Sequence, residues 1–286
     1  MADDTSLIDL HAHAYEYVQQ QPGAKWLVTY VQDVARFSRR VYFDLAERYQ
    51  ALGRASVTPF RAVEVDCQQR IAPEGEFETG AARPHELAAL AARIRAKRPA
   101  IYIEATGLGS PDLSIDPTII EWAAAGLQRE RQVLVARGPS GWPVAAAVLD
   151  AANDGLHLFG LLDVVRIFPL VEGAGSAYAT LLAACQDWFS ALGKHRFTYF
   201  ADDDEDALGA GRTGCTDLGA AYVTILPVAL LPELLEHVFT LTARCAPPSR
   251  GPTKREGAQI DLRFTPPVAV EYLQRSVIHN VTGKVR

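Results

Sequence analysis

The sequence is poor in cysteine, with four in 286 residues. Cys67, Cys185, Cys215 and Cys245 are far apart, and no CxxC pair occurs. This spacing predicts neither a disulfide framework nor a zinc knuckle. Scattered, unpaired cysteines are typical of a reducing compartment, so we expect a cytoplasmic protein.

The chain also lacks long apolar runs and an excess of basic residues. No apolar stretch reaches the roughly 18 residues that a membrane-spanning helix needs. The opening residues, MADDTSLIDL, have neither the basic start nor the apolar core of a signal peptide. The net charge of -6 and the pI of about 5.7 argue against a general affinity for nucleic acid or anionic membrane. We therefore expect no nucleic-acid partner and no membrane partner.

What the sequence does contain is a typical globular composition, 49% hydrophobic and 22% charged. Apolar residues recur at helical spacing from Leu7 to Val18 and again from Trp26 to Leu52. These two runs predict a helical extension over residues 1–55. We expect a main α/β domain over 56–230, completed by a C-terminal helix, loop and tail over 231–286.

The segments from residue 56 onward predict a mixed sheet. A Gly-Pro-Ser-Gly turn at 138–141 joins two strands and predicts an antiparallel hairpin. A strand over 156–170, a helix over 176–192 and a strand over 196–201 predict a parallel crossover. We expect an α+β fold with a mixed, mostly antiparallel sheet flanked by helices. Where two parallel strands diverge, a cleft opens at a helix N-terminus, which favours an anion.

This order of elements resembles the GCN5-related N-acetyltransferase (GNAT) fold over roughly residues 58–228. The resemblance is carried by VLVARGPSGWPVAAAVLD as the central hairpin, LLDVVRIFPL as the next strand and VEGAGSAYATLLAACQDWFSALG as the acyl-CoA helix. FTYFADDDEDALGAGRTGCTDLGAAY resembles the closing strand–helix–strand. The resemblance implies an N-acyltransferase that moves an acyl group from acyl-CoA, or from an acyl carrier, to a small-molecule amine.

In the family a glycine-rich loop binds the pyrophosphate of CoA through main-chain amides. The resemblance places this loop and the strand before it on Phe168, Leu170, Gly173, Ala174, Gly175 and Ser176. The chain departs from the family pattern at Leu170, which occupies an Arg or Gln position. It departs again at Glu172, whose negative charge opposes a phosphate.

The family's acid tyrosine is missing, because its position aligns with Ala210. Tyr199 or Tyr222 could substitute for it, although an aromatic residue on a strand more often packs in the core. Asp163, expected in the middle of an apolar strand, is a candidate base because burial would raise its pKa. Glu104 is a second candidate base, beside the loop that would meet the acceptor. Asp163 also fits a partnered structural role, and Glu104 a solvated loop position.

Two other functions are compatible with the sequence. A non-catalytic GNAT-like module would bind a ligand or a partner, and the N-terminal helices could form a homodimer or bind a protein partner. His11-Ala12-His13 is similar to the HxH of metal-dependent amidohydrolases and would make the protein a hydrolase. On a helix, however, residues i and i+2 point about 200° apart and cannot share one metal ion. We favour two ordinary histidines and expect no metal.

Overall fold

One eight-stranded sheet organises the described part of the chain. The computed structural model describes residues 25–110, 113, 119, 123, 128–152, 163–202 and 214–245. The strand order is β1-β8-β2-β7-β6-β5-β4-β3. The strands are β1 (Trp26–Gln32), β2 (Ser56–Asp66), β3 (Glu78–Ala81), β4 (Arg129–Arg137), β5 (Pro143–Ala152), β6 (Val164–Pro169), β7 (Arg196–Ala201) and β8 (Cys215–Pro227).

Helices cover both faces of this sheet. They are α1 (α-helical at Arg36–Ser38 and Asp44–Gln50, π-helical at Arg39–Phe43), α2 (Pro84–Lys97), α3 (Ala100–Thr106), α4 (Tyr178–Ala191) and α5 (Leu231–Cys245). Short 3₁₀ segments, Ala174–Ala177 and Val228–Leu230, precede α4 and α5. The expected α+β class, with a mixed and mostly antiparallel sheet flanked by helices, is confirmed.

The predicted hairpin is present as β4 and β5. Val135 pairs with Ala146, and Gly141 donates its amide to the carbonyl of Gly138 to close the turn. Gly141 has a φ of 76°, a conformation that favours glycine. From Ala145 to Ala152 every β5 residue is buried, because helices lie against both faces of the sheet.

The described residues form three apolar cores, one on each face of the sheet and a third where α1 and α5 pack against β1 and β8. On one face, α4 buries Leu181, Cys185 and Phe189 against the sheet. On the other, α2 and α3 bury Leu90, Tyr102 and their neighbours. The predicted helix over 176–192 is confirmed as the 3₁₀ turn and α4, and Gly193 follows it with a φ of 76°.

The helical prediction for residues 26–32 was wrong. These residues form the edge strand β1, which pairs antiparallel with β8 from Trp26↔Pro227 to Gln32↔Ala221. An apolar run buried on both sides has no polar alternation, so its periodicity cannot separate strand from helix. Residues 36–50 are helical as expected, and residues 1–24 lie outside the described part.

Two features of the sheet were missed. The edge strand β3, paired antiparallel with β4, was not among the predicted strands. Strand β2 inserts between β7 and β8 and pairs antiparallel with both. The closing strands β7 and β8 are therefore not neighbours.

Candidate functional site at the divergence of β6 and β7

The predicted parallel pair is present, but the pairing covers only part of the two strands. β6 and β7 pair only through Val164↔Thr198, Val165↔Tyr199 and Arg166↔Phe200. Beyond Arg166, β6 continues beside β5 to Pro169, while β7 continues beside β2 to Ala201. Past this last pair β6 has three more residues and β7 one, and no described pair joins them there; we call this end of the two strands the wedge, with Arg166 and Phe200 at its apex.

The loop over 170–177 turns from the end of β6 into α4. Leu170 and Val171 both donate their amides to the carbonyl of Val144, at 2.9 and 3.3 Å. Gly173 then takes a φ of 71°, and no side chain caps the helical start at Ala174. The first amides of a helix have no acceptor within it, so this end offers donors and positive dipole to an anion.

The cofactor-binding residues predicted from the resemblance have mixed exposure. Gly173, Gly175 and Ser176 are exposed, and a Cβ built on either glycine would meet no atom within 4 Å. Ala174 and Phe168 are buried. Leu170 packs partly against the core under α2 and α3, and so offers no polar side chain. Glu172 is exposed and adds negative charge to the loop.

Two arginines reach the ends of β6 and β7, one within α2 and one directly after it. Neither was among the predicted site residues. Arg93 donates through Nε to the carbonyl of Pro169 at 3.2 Å, at the end of β6. Arg98 forms an ion pair with Asp202, just after β7. These side chains place a guanidinium at each side of the wedge, on the α2 face.

At the apex Arg166 is buried in a polar network. Its Nη1 donates to Asp150 Oδ2 and its Nη2 to the hydroxyl of Tyr30, each at 3.0 Å. The guanidinium lies 5.5 Å from the centre of the Phe200 ring, and that ring is 5.4 Å from the ring of Tyr30. Asp150 also accepts from Arg131 Nε at 2.6 Å.

This network shifts the pKa of several of its groups. Burial raises the pKa of Tyr30 and outweighs the opposing charge of Arg166, so the hydroxyl keeps its proton. Burial also raises the pKa of Asp150, but Arg131, Arg129 and Arg166 together hold it well below its usual value. Burial works against the charged form of Arg166, yet Tyr30, Tyr102 and Asp150 raise its pKa overall.

Asp163 lies at the other end of β6 from the loop. The strand begins at Val164, so the expectation that Asp163 sits in mid-strand was wrong. Its Oδ1 accepts the Ala152 amide at 3.0 Å, and its Oδ2 is 3.3 Å from Lys194 Nζ. Six strand residues separate it from the loop, or about 20 Å of extended chain.

The other two catalytic candidates are on different elements, Tyr199 on β7 and Glu104 on α3. Tyr199 is fully buried on the α4 face, at a position where β6 and β7 are still paired. Glu104 is on α3, about half exposed, and pairs with Lys25 Nζ at 3.2 Å. The structure therefore does not bring all three together, because Glu104 is on α3, whereas Tyr199 lies opposite Val165, two residues from Asp163 in the chain. An arginine inside the apolar run VVRIFP was the sequence signal that could have pointed to the apex.

The described residues also bear on metal and membrane sites. Within them, no group of three His, Cys, Asp or Glu side chains is arranged to hold a metal ion. His11 and His13 lie outside this part of the chain. No helix among the described residues is both long enough and apolar enough to cross a membrane.

Comparison with solved structures finds matches at low sequence identity and low TM-score. No protein-family profile and no curated protein matches the chain. A conserved protein of unknown function from Staphylococcus epidermidis is 12% identical, with a TM-score of 0.39, and the match covers 79% of this chain and 81% of that one. A GCN5-related N-acetyltransferase from Kribbella flavida is 17% identical, with a TM-score of 0.35 and coverage of 65% of each chain.

A GNAT-family acetyltransferase from Colwellia psychrerythraea is 11% identical, with a TM-score of 0.35, and the match covers 76% of this chain and 71% of that one. Similar solved structures thus include GNAT acetyltransferases.

Proposed function

We propose that this chain is an N-acyltransferase that moves an acyl group from an acyl thioester, such as acyl-CoA, to the nitrogen of a small amine. The observation that carries the proposal is that the pairing of β6 with β7 stops at Arg166, while β6 leads on into the uncapped 3₁₀ turn that precedes α4. A narrow, extended donor fits such a wedge, with its anionic end at the loop and its thioester at the apex.

Three features of the loop support an anionic donor. The amides at the start of the helix are suitable donors to a phosphate. The space beside Gly173 and Gly175 is open, so a phosphate can approach the backbone. Arg93 adds positive charge at the end of β6, where its guanidinium donates to the carbonyl of Pro169. Glu172 opposes this charge and is expected to weaken binding.

The apex offers a proton donor for the transfer step. Tyr30 accepts a hydrogen bond from Arg166, so its own hydroxyl proton is free to be given to another group. In the proposed step the amine nitrogen bonds to the carbonyl carbon and the C–S bond breaks. Tyr30 gives its proton to the departing sulfur, and it regains one from the nitrogen. Arg166 stabilises the transient phenolate.

Asp163, Tyr199 and Glu104 remain predictions as catalytic groups. Their positions favour Tyr30 over them as the residue at the reacting atoms. The non-catalytic module is the second candidate function. It is favoured by Leu170, which packs against the core instead of offering a donor, and by the charge of Glu172.

The test adds one charge to the loop. Gly175 has room for a side chain, so Gly175→Asp places a carboxylate where the phosphate would lie, while Gly175→Asn is the neutral match. We expect calorimetry with free CoA to show binding weakened about tenfold or more by Asp and by less than about twofold by Asn.

Thiol release from acetyl-CoA with a panel of amines then tests the reaction. Thiol release together with amide formation supports the transferase. Binding of CoA without any amide product would favour the non-catalytic module. If the unmodified protein binds neither CoA nor acetyl-CoA, the acyl-CoA proposal is wrong.

A further inference from the structure

A small cavity lies on the α2 and α3 face of the sheet. It has a volume of about 100 Å³ and lies between the end of β1, the start of α1, and strands β2, β7 and β8. The described residues that line it carry no charge, and they include Tyr30, Ser38, Phe60, Leu218 and Ala221. The site is therefore suited to an uncharged group.

Two local irregularities meet at this cavity. The π-helical segment Arg39–Phe43 begins directly after Ser38. The pairing of β2 with β8 shifts register, from Ala62↔Gly219 to Val63↔Asp217, which leaves Leu218 as the extra residue that lines the space. Both π-segments and β-bulges disrupt regular hydrogen bonding and are frequent beside functional sites.

The cavity adjoins the apex of the wedge. Tyr30 and Phe60 line it, and their rings lie 5.4 and 4.2 Å from the ring of Phe200. Tyr30 also reaches Arg166 through its hydroxyl. An acyl group carried to the apex would therefore find this space next, past the Phe200 ring.

We infer that this cavity binds the alkyl tail of the acyl donor, an inference that rests on the proposed function. A cavity of about 150 Å³ holds benzene, so by proportion about 100 Å³ holds roughly four carbon atoms. The preferred donor then carries a short or branched acyl group larger than acetyl. An amine substrate is less well suited, since the lining has no charged group to replace the water around an ammonium ion.

Two neighbouring alanines of β8 provide a matched test. Ala221 is buried and lines the cavity, whereas Ala220 is exposed on the same strand. Ala221→Leu fills the cavity and Ala220→Leu does not.

Calorimetry would compare free CoA, acetyl-CoA and isovaleryl-CoA as probes. We expect the unmodified protein and Ala220→Leu to bind isovaleryl-CoA about tenfold or more tightly than acetyl-CoA. In Ala221→Leu the affinities for isovaleryl-CoA and acetyl-CoA should differ by less than about twofold.

The outcomes separate this inference from the proposed function. Unchanged binding of free CoA by Ala221→Leu, with loss of the isovaleryl preference, supports the acyl pocket. Binding of CoA without any preference for isovaleryl overturns the pocket and leaves the transferase. A preference that appears for isobutylamine over methylamine, and not for the donor, also overturns it. Failure of the unmodified protein to bind CoA overturns the proposed function itself.

If Ala221→Leu does not fold, Ala35→Leu at the half-buried rim of the same cavity serves as the second variant, with the same expected result.

Discussion

The two faces of the sheet bury different kinds of side chain. Under α4 the core is built around apolar groups such as Phe189, and one nearly buried pair, Lys194–Asp163, lies just past the end of α4. Under α2 and α3 an apolar core of similar extent is combined with buried ion pairs. Among the described residues these pairs are Arg131–Asp150 and Arg166–Asp150, and Arg137–Glu86 between β4 and α2.

This difference has an energetic meaning. Apolar burial stabilises a fold roughly in proportion to the area removed from water. Buried charges must first lose their hydration, so a buried pair contributes little net stability, although breaking it is costly. The α4 face therefore serves mainly to stabilise the sheet. The ion pairs on the α2 face contribute little net stability, but they hold polar groups in fixed positions at the wedge, where the proposed chemistry takes place.

The largest effect should come from the apolar face. Phe189 is fully buried and stacks on Phe197, with ring centres 4.6 Å apart. Phe189→Ala should lower the free energy of unfolding by about 4 kcal/mol, because it leaves a cavity. Urea unfolding measures this. Phe239→Ala, at an exposed position on α5, is the control and should change it by less than about 0.5 kcal/mol. A similar loss in both variants would contradict the assignment of Phe189 to the stabilising core.

A somewhat smaller loss should follow from breaking the charged network. Asp150→Asn leaves Arg131 and Arg166 buried without their carboxylate and should cost about 3 kcal/mol. The exposed pair Arg70–Asp187 provides the control, since Asp187→Asn should cost less than about 1 kcal/mol. Urea unfolding of the two variants compares them. Equal losses of unfolding free energy in Asp150→Asn and Asp187→Asn would show that the burial of Asp150 does not determine the loss.

The smallest effect concerns pH and the pair between α2 and β4. Arg137 holds the pKa of Glu86 below its usual value, by hydrogen bonds and by its charge, against the opposing effect of burial. A lowered pKa contributes stability above the unfolded value of about 4.3, and this is lost as pH falls through the folded pKa.

Glu86→Gln should therefore cost about 2 kcal/mol at pH 7 and progressively less in acid. Thermal unfolding from pH 7 to pH 3 measures this convergence, with Glu236→Gln on exposed α5 as control. A constant difference across that range would rule out the charge of Glu86 as its cause.

Local signals account for the parts of the fold that were predicted. The Gly138–Gly141 turn fixed the hairpin, and helical spacing with Gly193 fixed α4. β1 and β3 were missed since both are edge strands whose partners are distant in sequence. The predicted loop at 173–176 does lie at the wedge. Tyr30 was missed because the sequence pattern predicted a helix over the segment that contains it.

The amino-acid pattern alone determined the class of the fold, the hairpin and the helix that starts at the glycine loop, because these depend on contacts between near neighbours in the chain. The tertiary structure alone decided the apex and its cavity. Tyr30 and Arg166 are 136 residues apart, and β2 pairs with β7, which is distant from it in the sequence. Such contacts form when distant strands pair, and no local periodicity encodes which strands will meet.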